Sequence, residues 1–328
     1  MKLSILASGL LALVPAMTLA QVSSPNNDVN SATQALVRAD SKHGSVPSMQ
    51  TTTVEIDGHK VPLAGLAKVQ PGNAQVALLI DDGLSRSAGI QLQDLRAFAT
   101  SLPPATELFV GYMANGRILP VANFTTDHAG AAKAIRLPES LPGQSGSPYF
   151  CLSDFVKHWP TGTDHVDLTH PQAAGAPLKA RFVVMVTNGV DPYNGSVSVL
   201  NQDSPYVQAA ARDAQRAGVA VYSVYYSDSA FRSGAASFSG QSYLQQVAEA
   251  TGGQSLYQGT INPVSLTPFL REFVNDVSDT YIATFPAGAE SAAHGRLVQL
   301  KIFSAEKGLK LRHATAVMPG TLESKVQQ

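Results

Sequence analysis

One apolar run that ends in polar residues constrains this chain more than any other segment. Residues 76–80 are all apolar, and the acidic pair Asp81 and Asp82 follows them, with hydroxyl groups at Ser85 and Ser87. A short apolar run bounded by turn residues is typical of a buried parallel strand. Because ligands of open α/β sheets gather beyond the carboxyl ends of such strands, the sequence predicts a functional site at the end of this strand.

The composition indicates a globular protein without a charge-selected partner. The 328 residues are 44% hydrophobic and 14% charged, which suits one large domain with a smaller appendage. The formal net charge is −1, from 23 basic and 24 acidic residues. Because nucleic acids and anionic membranes attract basic surfaces, we expect neither as a partner.

The first twenty residues have the pattern of a secretory signal. A basic start at Lys2, an apolar stretch over residues 3–14 and small residues up to Ala20 make up this pattern. The apolar stretch is shorter than the roughly 20 residues that cross a bilayer. We therefore expect cleavage after Ala20, no membrane insertion afterwards, and an exported protein that is periplasmic or extracellular. An uncleaved anchor is the alternative.

Strand, helix and turn signals divide the rest of the chain. A Ser-, Asn- and Ala-rich stretch is expected to be flexible, and a tight-turn signal after it indicates a β-hairpin. Strands and helices then alternate as in a doubly wound, mostly parallel sheet flanked by helices, and Asn115-Gly116 predicts a two-residue turn to one antiparallel strand. The predicted divisions are a signal peptide (1–20), a flexible segment (21–50), a hairpin lead-in (51–75), the α/β domain (76–280), a C-terminal β extension (281–318) and a tail (319–328).

The order of several segments resembles a known family. These segments are the strand ending at Asp81, the Gly- and Ser-rich loop 143–147 before an apolar helix, the strand ending at 187–189, and, further on, residues 214–224, 244–253, 279–286 and 294–302. Their order resembles a von Willebrand factor A-type (VWFA) domain, and more closely the VWFA-related family of exported acidobacterial proteins. The resemblance covers residues 76–317 and implies a Rossmann-type binding fold.

Domains of this kind bind Mg²⁺ or a similar cation at a metal-ion-dependent adhesion site. The resemblance implies an Asp-x-Ser-x-Ser loop, a Thr from a second loop and an Asp from a third. Asp81 then corresponds to the first acid and Ser85 to the second hydroxyl, whereas Gly83 stands where the first serine belongs. Ser87 substitutes if the loop is two residues longer, and Asp82 adds a neighbouring carboxylate as a ligand-binding group.

The other two loops depart from the family pattern as well. Ser145 is the best match to the hydroxyl of the second loop, ahead of Thr126, and Asn188 replaces the acid of the third loop. Asp191 supplies that charge only if its loop folds back. Since hard cations need several oxygen ligands, we expect weak binding of Mg²⁺ or Mn²⁺, or none. Asp81, Ser85 and Ser145 are also residue types that favour turns and helix caps.

A second polar cluster lies between two prolines. It contains His158, Asp164, His165, Asp167 and His170, residue types that bind zinc or another transition metal. Their spacing does not place two ligands on one face of a helix, and the segment is rich in Gly, Pro and Thr. A solvated loop is therefore the favoured interpretation.

Catalytic motifs are absent from the sequence. It contains no Gly-x-Ser-x-Gly elbow, no phosphate-binding loop and no Gly-x-Gly-x-x-Gly turn, and Cys151, the only cysteine, has apolar neighbours that favour a buried, inert thiol. We therefore expect a binding module, not an enzyme, that recognises a protein or other macromolecular ligand at a degenerate adhesion site. The alternative is a scaffold with a decayed, metal-free site, and an uncharacterised hydrolase is third.

Overall fold

A central sheet, helices on both of its faces and a β-sandwich make up the described part of the chain. The computed structural model describes residues 31–41, 44–140, 146–160, 179–194, 203–227, 234–259, 262–287 and 295–320. Within these ranges, no helix is long and apolar enough to cross a membrane. The predicted signal peptide lies outside the described residues.

Six strands form the central sheet, in the order β10-β9-β8-β5-β6-β7. Neighbouring strands are parallel except β6 and β7, which are antiparallel and are joined at Asn115 and Gly116 by a turn with φ of 50° and 79°. This confirms the predicted doubly wound, mostly parallel sheet and its antiparallel edge strand. The strands are β5 (Ala74–Asp81), β6 (Glu107–Ala114), β7 (Arg117–Thr125), β8 (Ala180–Thr187), β9 (Val219–Tyr225) and β10 (Ser255–Leu256).

Alternating side chains of β5 explain why helices cover both faces. Leu78 and Ile80 pack on one face against α1, α2 and α6, while Ala77 and Leu79 pack on the other against α3, α4 and α5. Both faces are therefore buried, as expected for a parallel sheet. The helices are α1 (Leu92–Ser101), α2 (His128–Ala134), α3 (Pro148–Lys157), α4 (Pro205–Arg216), α5 (Gly234–Thr251) and α6 (Thr267–Ser278).

Strands from both ends of the chain form the β-sandwich. Its two sheets have the orders β13-β1-β11-β4 and β14-β12-β2-β3, and they enclose a separate apolar core that includes Val37, Val54, Phe285 and Leu300. The strands are β1 (Ser31–Ser41), β2 (Thr52–Ile56), β3 (His59–Val61), β4 (Gly65–Lys68), β11 (Thr280–Ala287), β12 (Val298–Ser304), β13 (Leu309–His313) and β14 (Ala316–Val317).

The sandwich corrects one expectation about the N-terminal region. The prediction of a flexible segment over residues 21–50 is wrong for Ser31–Ser41, which form the 11-residue strand β1. This strand pairs with β11 and β13, whose residues lie more than 240 positions away in the sequence. A strand stabilised by such distant partners has little local signal, and its composition alone suggested disorder.

Candidate functional site

The strands β5 and β8 end side by side where the strand order of the sheet reverses. Ile80 of β5 pairs with Val186 of β8, and the residue that follows each of them, Asp81 and Thr187, is linked to the other by a side-chain hydrogen bond. The Thr187 hydroxyl donates a hydrogen bond to Asp81 Oδ2 at 2.7 Å, and the Gly83 amide donates to Oδ1 at 2.9 Å. Both side chains are buried. Asp81 therefore closes its own turn and links two central strands at the reversal point, where doubly wound folds bind ligands.

Asp82 belongs to a different network. Its Oδ1 accepts hydrogen bonds from Arg136 Nη1 at 2.8 Å and from the Glu139 amide at 3.0 Å, and its Oδ2 accepts one from the Ser140 hydroxyl at 2.7 Å. Burial disfavours the charged carboxylate, but these hydrogen bonds outweigh it and hold the pKa of Asp82 below its ordinary value. Asp82 thus anchors the segment that follows α2.

Polar side chains of the loop after β8 form hydrogen bonds within the loop and with the start of α4. Asn188 Oδ1 accepts a hydrogen bond from the Val190 amide at 2.9 Å. Asp191 is buried, and its Oδ2 accepts a hydrogen bond from the Ser204 hydroxyl at 2.7 Å. Ser204 is the N-cap of α4, where it accepts hydrogen bonds from backbone amides of the first turn. Asp191 therefore connects this loop to the start of α4.

The first turn of α3 lies against the same edge of the sheet. The Tyr149 hydroxyl donates to the Gly189 carbonyl at 2.7 Å, which joins α3 to the loop after β8. Burial, together with the nearby Asp81 carboxylate, raises the pKa of Cys151 to about 12, so its thiol is inert as the sequence predicts. The end of β5 and the loop that follows β8 thus both lie near α3.

The serines after β5 and Ser145 before α3 are candidate hydroxyl ligands of the predicted site. Ser85 and Ser87 lie 2.6 Å apart and bond to each other. Ser145 lies outside the described residues, whereas Ser147 is buried as the N-cap of α3 and accepts a hydrogen bond from the Tyr149 amide. Sequence reasoning missed Ser147, although a serine directly before a proline is a helix-start signal.

The described residues do not match the ligand set of a divalent-cation site. Both oxygens of Asp81 already accept hydrogen bonds from the protein, and Gly83 and Asn188 stand where an additional hydroxyl and acid belong. Among the described residues, no group of three or more His, Cys, Asp or Glu side chains is placed to hold a metal. Of the second predicted cluster, the structure describes only His158, which is exposed and pairs with Asp154 at 3.2 Å.

Three aromatic side chains form a partly exposed cluster at this edge, which we call the aromatic patch. Phe150 comes from the first turn of α3, Tyr193 from the loop after β8 and Tyr206 from the first turn of α4. The Phe150 ring stacks on Tyr193 at 5.2 Å and meets Tyr206 edge-on at 4.8 Å. Tyr193 remains 60% exposed, so its ring is available to another molecule.

Ile90, Leu137 and Val264 are exposed apolar side chains on three adjoining segments, which we call the aliphatic patch. They are 72%, 46% and 95% exposed. Gly89, beside Ile90, packs so closely on Leu137 that a Cβ at residue 89 would lie 2.6 Å from Leu137 Cδ2. The Gln91 side chain donates to the Val264 carbonyl at 3.3 Å. These contacts hold the three segments together while their apolar side chains face solvent.

Exposed apolar side chains are concentrated at the carboxyl edge of the central sheet. The described residues include nine exposed large hydrophobic side chains, and six of them lie at this edge, after a strand, before or at the start of a helix, or, for Leu137, after the end of α2. Solitary exposed hydrophobics are ordinary, but clusters of them mark interaction surfaces. The six are Ile90, Leu137, Tyr193, Tyr206, Tyr257 and Val264.

Comparisons with known proteins gave structural similarities only. No protein-family model and no curated protein sequence matches the chain. Similar solved structures include an aerotolerance-related membrane protein from Bacteroides fragilis NCTC 9343 (12% identity, TM-score 0.40, 62% of this chain and 98% of that one). Others are a von Willebrand factor type A structure from Catenulispora acidiphila (11%, 0.41, 90% and 77%) and the SpRpn10 VWA domain (10%, 0.37, 61% and 94%). The fold assignment rests on the strand order and packing of this chain.

Proposed function

We propose that this protein is an exported binding module that docks a protein partner on the carboxyl edge of its central sheet, without a metal ion. The observation that carries the proposal is the concentration of exposed apolar side chains at that edge. Export is supported by the signal pattern of residues 1–20, and a binding role by the motif order that resembles VWFA domains.

The aromatic and aliphatic patches supply the chemistry of docking. Burying one large apolar side chain is worth about 1.5–3 kcal/mol. Tyrosine is also a residue type in which interface energy concentrates, because its ring has a large contact area and its hydroxyl keeps a polar end. Tyr193 combines a supported ring with high exposure, which makes it the expected centre of the aromatic contact.

The hydrogen bonds of Asp81 favour a metal-independent site. In an adhesion-type site the partner completes the coordination of a bound cation, which requires oxygen ligands that are open to it. Here the Asp81 carboxylate is buried and holds Thr187 and Gly83. The alternative function, a scaffold whose site has decayed, also predicts that no metal binds here and agrees with this arrangement. The exposed apolar side chains, however, favour partner contacts at this edge over contacts on other surfaces.

Site-specific photo-crosslinking tests the proposal. A photoreactive phenylalanine analogue at Tyr193 or Ile90 is expected to give a discrete adduct with one partner, in the protein's own exported fraction and equally with or without EDTA. The matched control is Val46, which is 62% exposed but lies in the N-terminal region. Equal adducts from residue 46 would contradict docking at the carboxyl edge, and loss of the adduct in EDTA would restore the metal-dependent interpretation.

A further inference from the structure

The last helix of the α/β domain runs directly into the sandwich. Helix α6 ends at Ser278 and strand β11 begins at Thr280, so only one residue separates them. On the neighbouring strand β1, Arg38 pairs with Thr280, and the Ala39 amide donates to the Asp279 carbonyl at 3.0 Å. The orientation of α6 relative to the sandwich is therefore set within a few residues.

A buried, incompletely bonded ion pair occupies this junction. Asp276 lies on α6 and is 1% exposed, and Arg38 Nη2 lies 2.7 Å from its Oδ1. Nevertheless, neither oxygen of Asp276 accepts a well-aligned hydrogen bond from the described residues, and Arg38 Nε has no hydrogen-bond acceptor among them. A buried ion pair offsets the cost of its desolvation only when hydrogen bonds satisfy its remaining groups. This pair lacks them.

The surroundings of Asp276 decide which protonation state it prefers. Burial is the largest influence and raises its pKa to about 7, and the cations Arg38 and Arg312 lower it without offsetting burial. Arg312 lies opposite Arg38 on β13 and donates to Gln254. The charged and titratable groups around Asp276 are Arg38 and Asp40 of β1, Arg312 of β13, Glu272 of α6 and Tyr222 of β9.

We propose that the Arg38–Asp276 contact is a proton-dependent joint between α6 and the sandwich, which is closed when Asp276 carries a proton and loosened when Asp276 is ionised. A neutral carboxyl group avoids the desolvation of the charge and gains a hydroxyl that can donate a hydrogen bond. Ionisation leaves a buried carboxylate whose one close cation does not complete its hydrogen bonding. Opening of the joint lets water solvate the ionised group.

The sign of the linkage follows from the two pKa values. In the folded protein Asp276 titrates near 7, and in the unfolded chain it titrates near its ordinary value of 3.8. Between these values the folded state binds more protons, so folding is favoured at the acidic end and weakens as pH rises. One such group increases the unfolding equilibrium constant about tenfold per pH unit over this window, and the increase stops above about pH 7.

Asp276→Asn tests the joint, because asparagine is neutral at every pH. The ratio of the unfolding constant of the wild type to that of D276N, from urea titrations, is expected to rise at least tenfold from pH 5 to pH 8. D279N is the matched control: Asp279 is exposed, lies three residues away and pairs with Lys68 at 3.6 Å, so this variant should keep the wild-type pH dependence. A ratio that is constant, or that falls with pH, overturns the proposal.

Two measurements on the folded protein remain decisive if D276N folds poorly. The ¹³C chemical shift of the Asp276 carboxyl group in the wild type should titrate near pH 7, and a midpoint near 4 overturns the proposal. Amide exchange at Ala39, corrected for its intrinsic rate, should accelerate from pH 6 to pH 8 by more than exchange at Val184 in the central sheet, which follows only the change in global unfolding. Equal behaviour of the two amides would show that no local joint opens.

Discussion

Two regions of this molecule contain buried carboxylates, and the two regions differ in the hydrogen bonds that these carboxylates accept. At the carboxyl edge of the central sheet, Asp81 and Asp82 accept hydrogen bonds at both of their oxygens. At the junction with the sandwich, Asp276 is equally buried but lacks well-aligned hydrogen bonds from the described residues. Burial alone does not set the behaviour of an acid, because hydrogen bonds to the charged form decide whether it stays ionised.

Removal of Asp81 should have the largest effect on stability. Asp81→Ala leaves the Thr187 hydroxyl and the Gly83 amide without these acceptors in a buried site, and we expect a loss of about 3 kcal/mol in the free energy of unfolding. Asp279→Ala, at an exposed acid, serves as the control in the same urea titration and should change it by less than about 0.5 kcal/mol. Similar losses for the two variants would contradict a structural role for Asp81.

Asp82 should show the opposite pH dependence to Asp276. The folded protein lowers the pKa of Asp82, so the contribution of Asp82 to stability is fully present above its ordinary pKa of 3.8. This contribution is lost as pH falls from 3.8 through the lower pKa of the folded state. Asp82→Asn is expected to cost about 2 kcal/mol at pH 7, with a smaller difference from the wild type at pH 3. Urea titrations at both pH values measure this, and a cost that grows in acid would reverse the assignment.

The titration of His313 in the sandwich should lower stability at acidic pH, and by less than the substitutions above. Its Nε2 accepts a hydrogen bond from the Ile302 amide at 2.9 Å and its Nδ1 donates to the Ala314 carbonyl at 2.7 Å, so the neutral ring fits. Burial lowers its pKa, and stability should therefore fall as pH drops below its ordinary value of 6.5, by at most about 1.4 kcal/mol per pH unit.

Replacement of His313 by Gln separates this effect from the titration of the carboxylates. H313Q should remove the decline in stability between pH 6.5 and pH 5 that is specific to this ring. His59→Gln, at an exposed position of β3, is the control and should retain the decline. An unchanged pH profile in H313Q would show that another group is responsible.

Substitutions in the two patches should have the smallest effect on folding and a clear effect on docking. Tyr193→Ser and Val264→Ser remove exposed side chains, so we expect changes of less than about 0.5 kcal/mol in stability. The yield of the Ile90 photo-adduct should nevertheless fall about tenfold, whereas Leu119→Ser on the edge strand β7 should leave it unchanged. A fall in all three variants would argue against the carboxyl edge as the docking surface.

The central sheet was predictable because its signals are local. The apolar residues 76–80 and the turn at Asn115-Gly116 act through neighbouring residues, and the structure confirms the elements that they predict. The expected position of the candidate site, at the end of β5, follows from the general rule for such sheets. Strand β1 was missed because its partners are distant in the sequence, whereas the cap at Ser147 was missed although the Ser147-Pro148 pair is a local helix-start signal.

The sequence by itself determined an α/β core, its mostly parallel order and the polar residues at the end of β5, since periodicity and turn chemistry are properties of adjacent residues. Only the tertiary structure decided that Asp81 bonds Thr187, that Asp82 turns to Arg136 and that Asp276 meets Arg38. These pairs are separated by 54 to more than 200 positions, and the environment of a buried charge depends on which atoms folding brings to it.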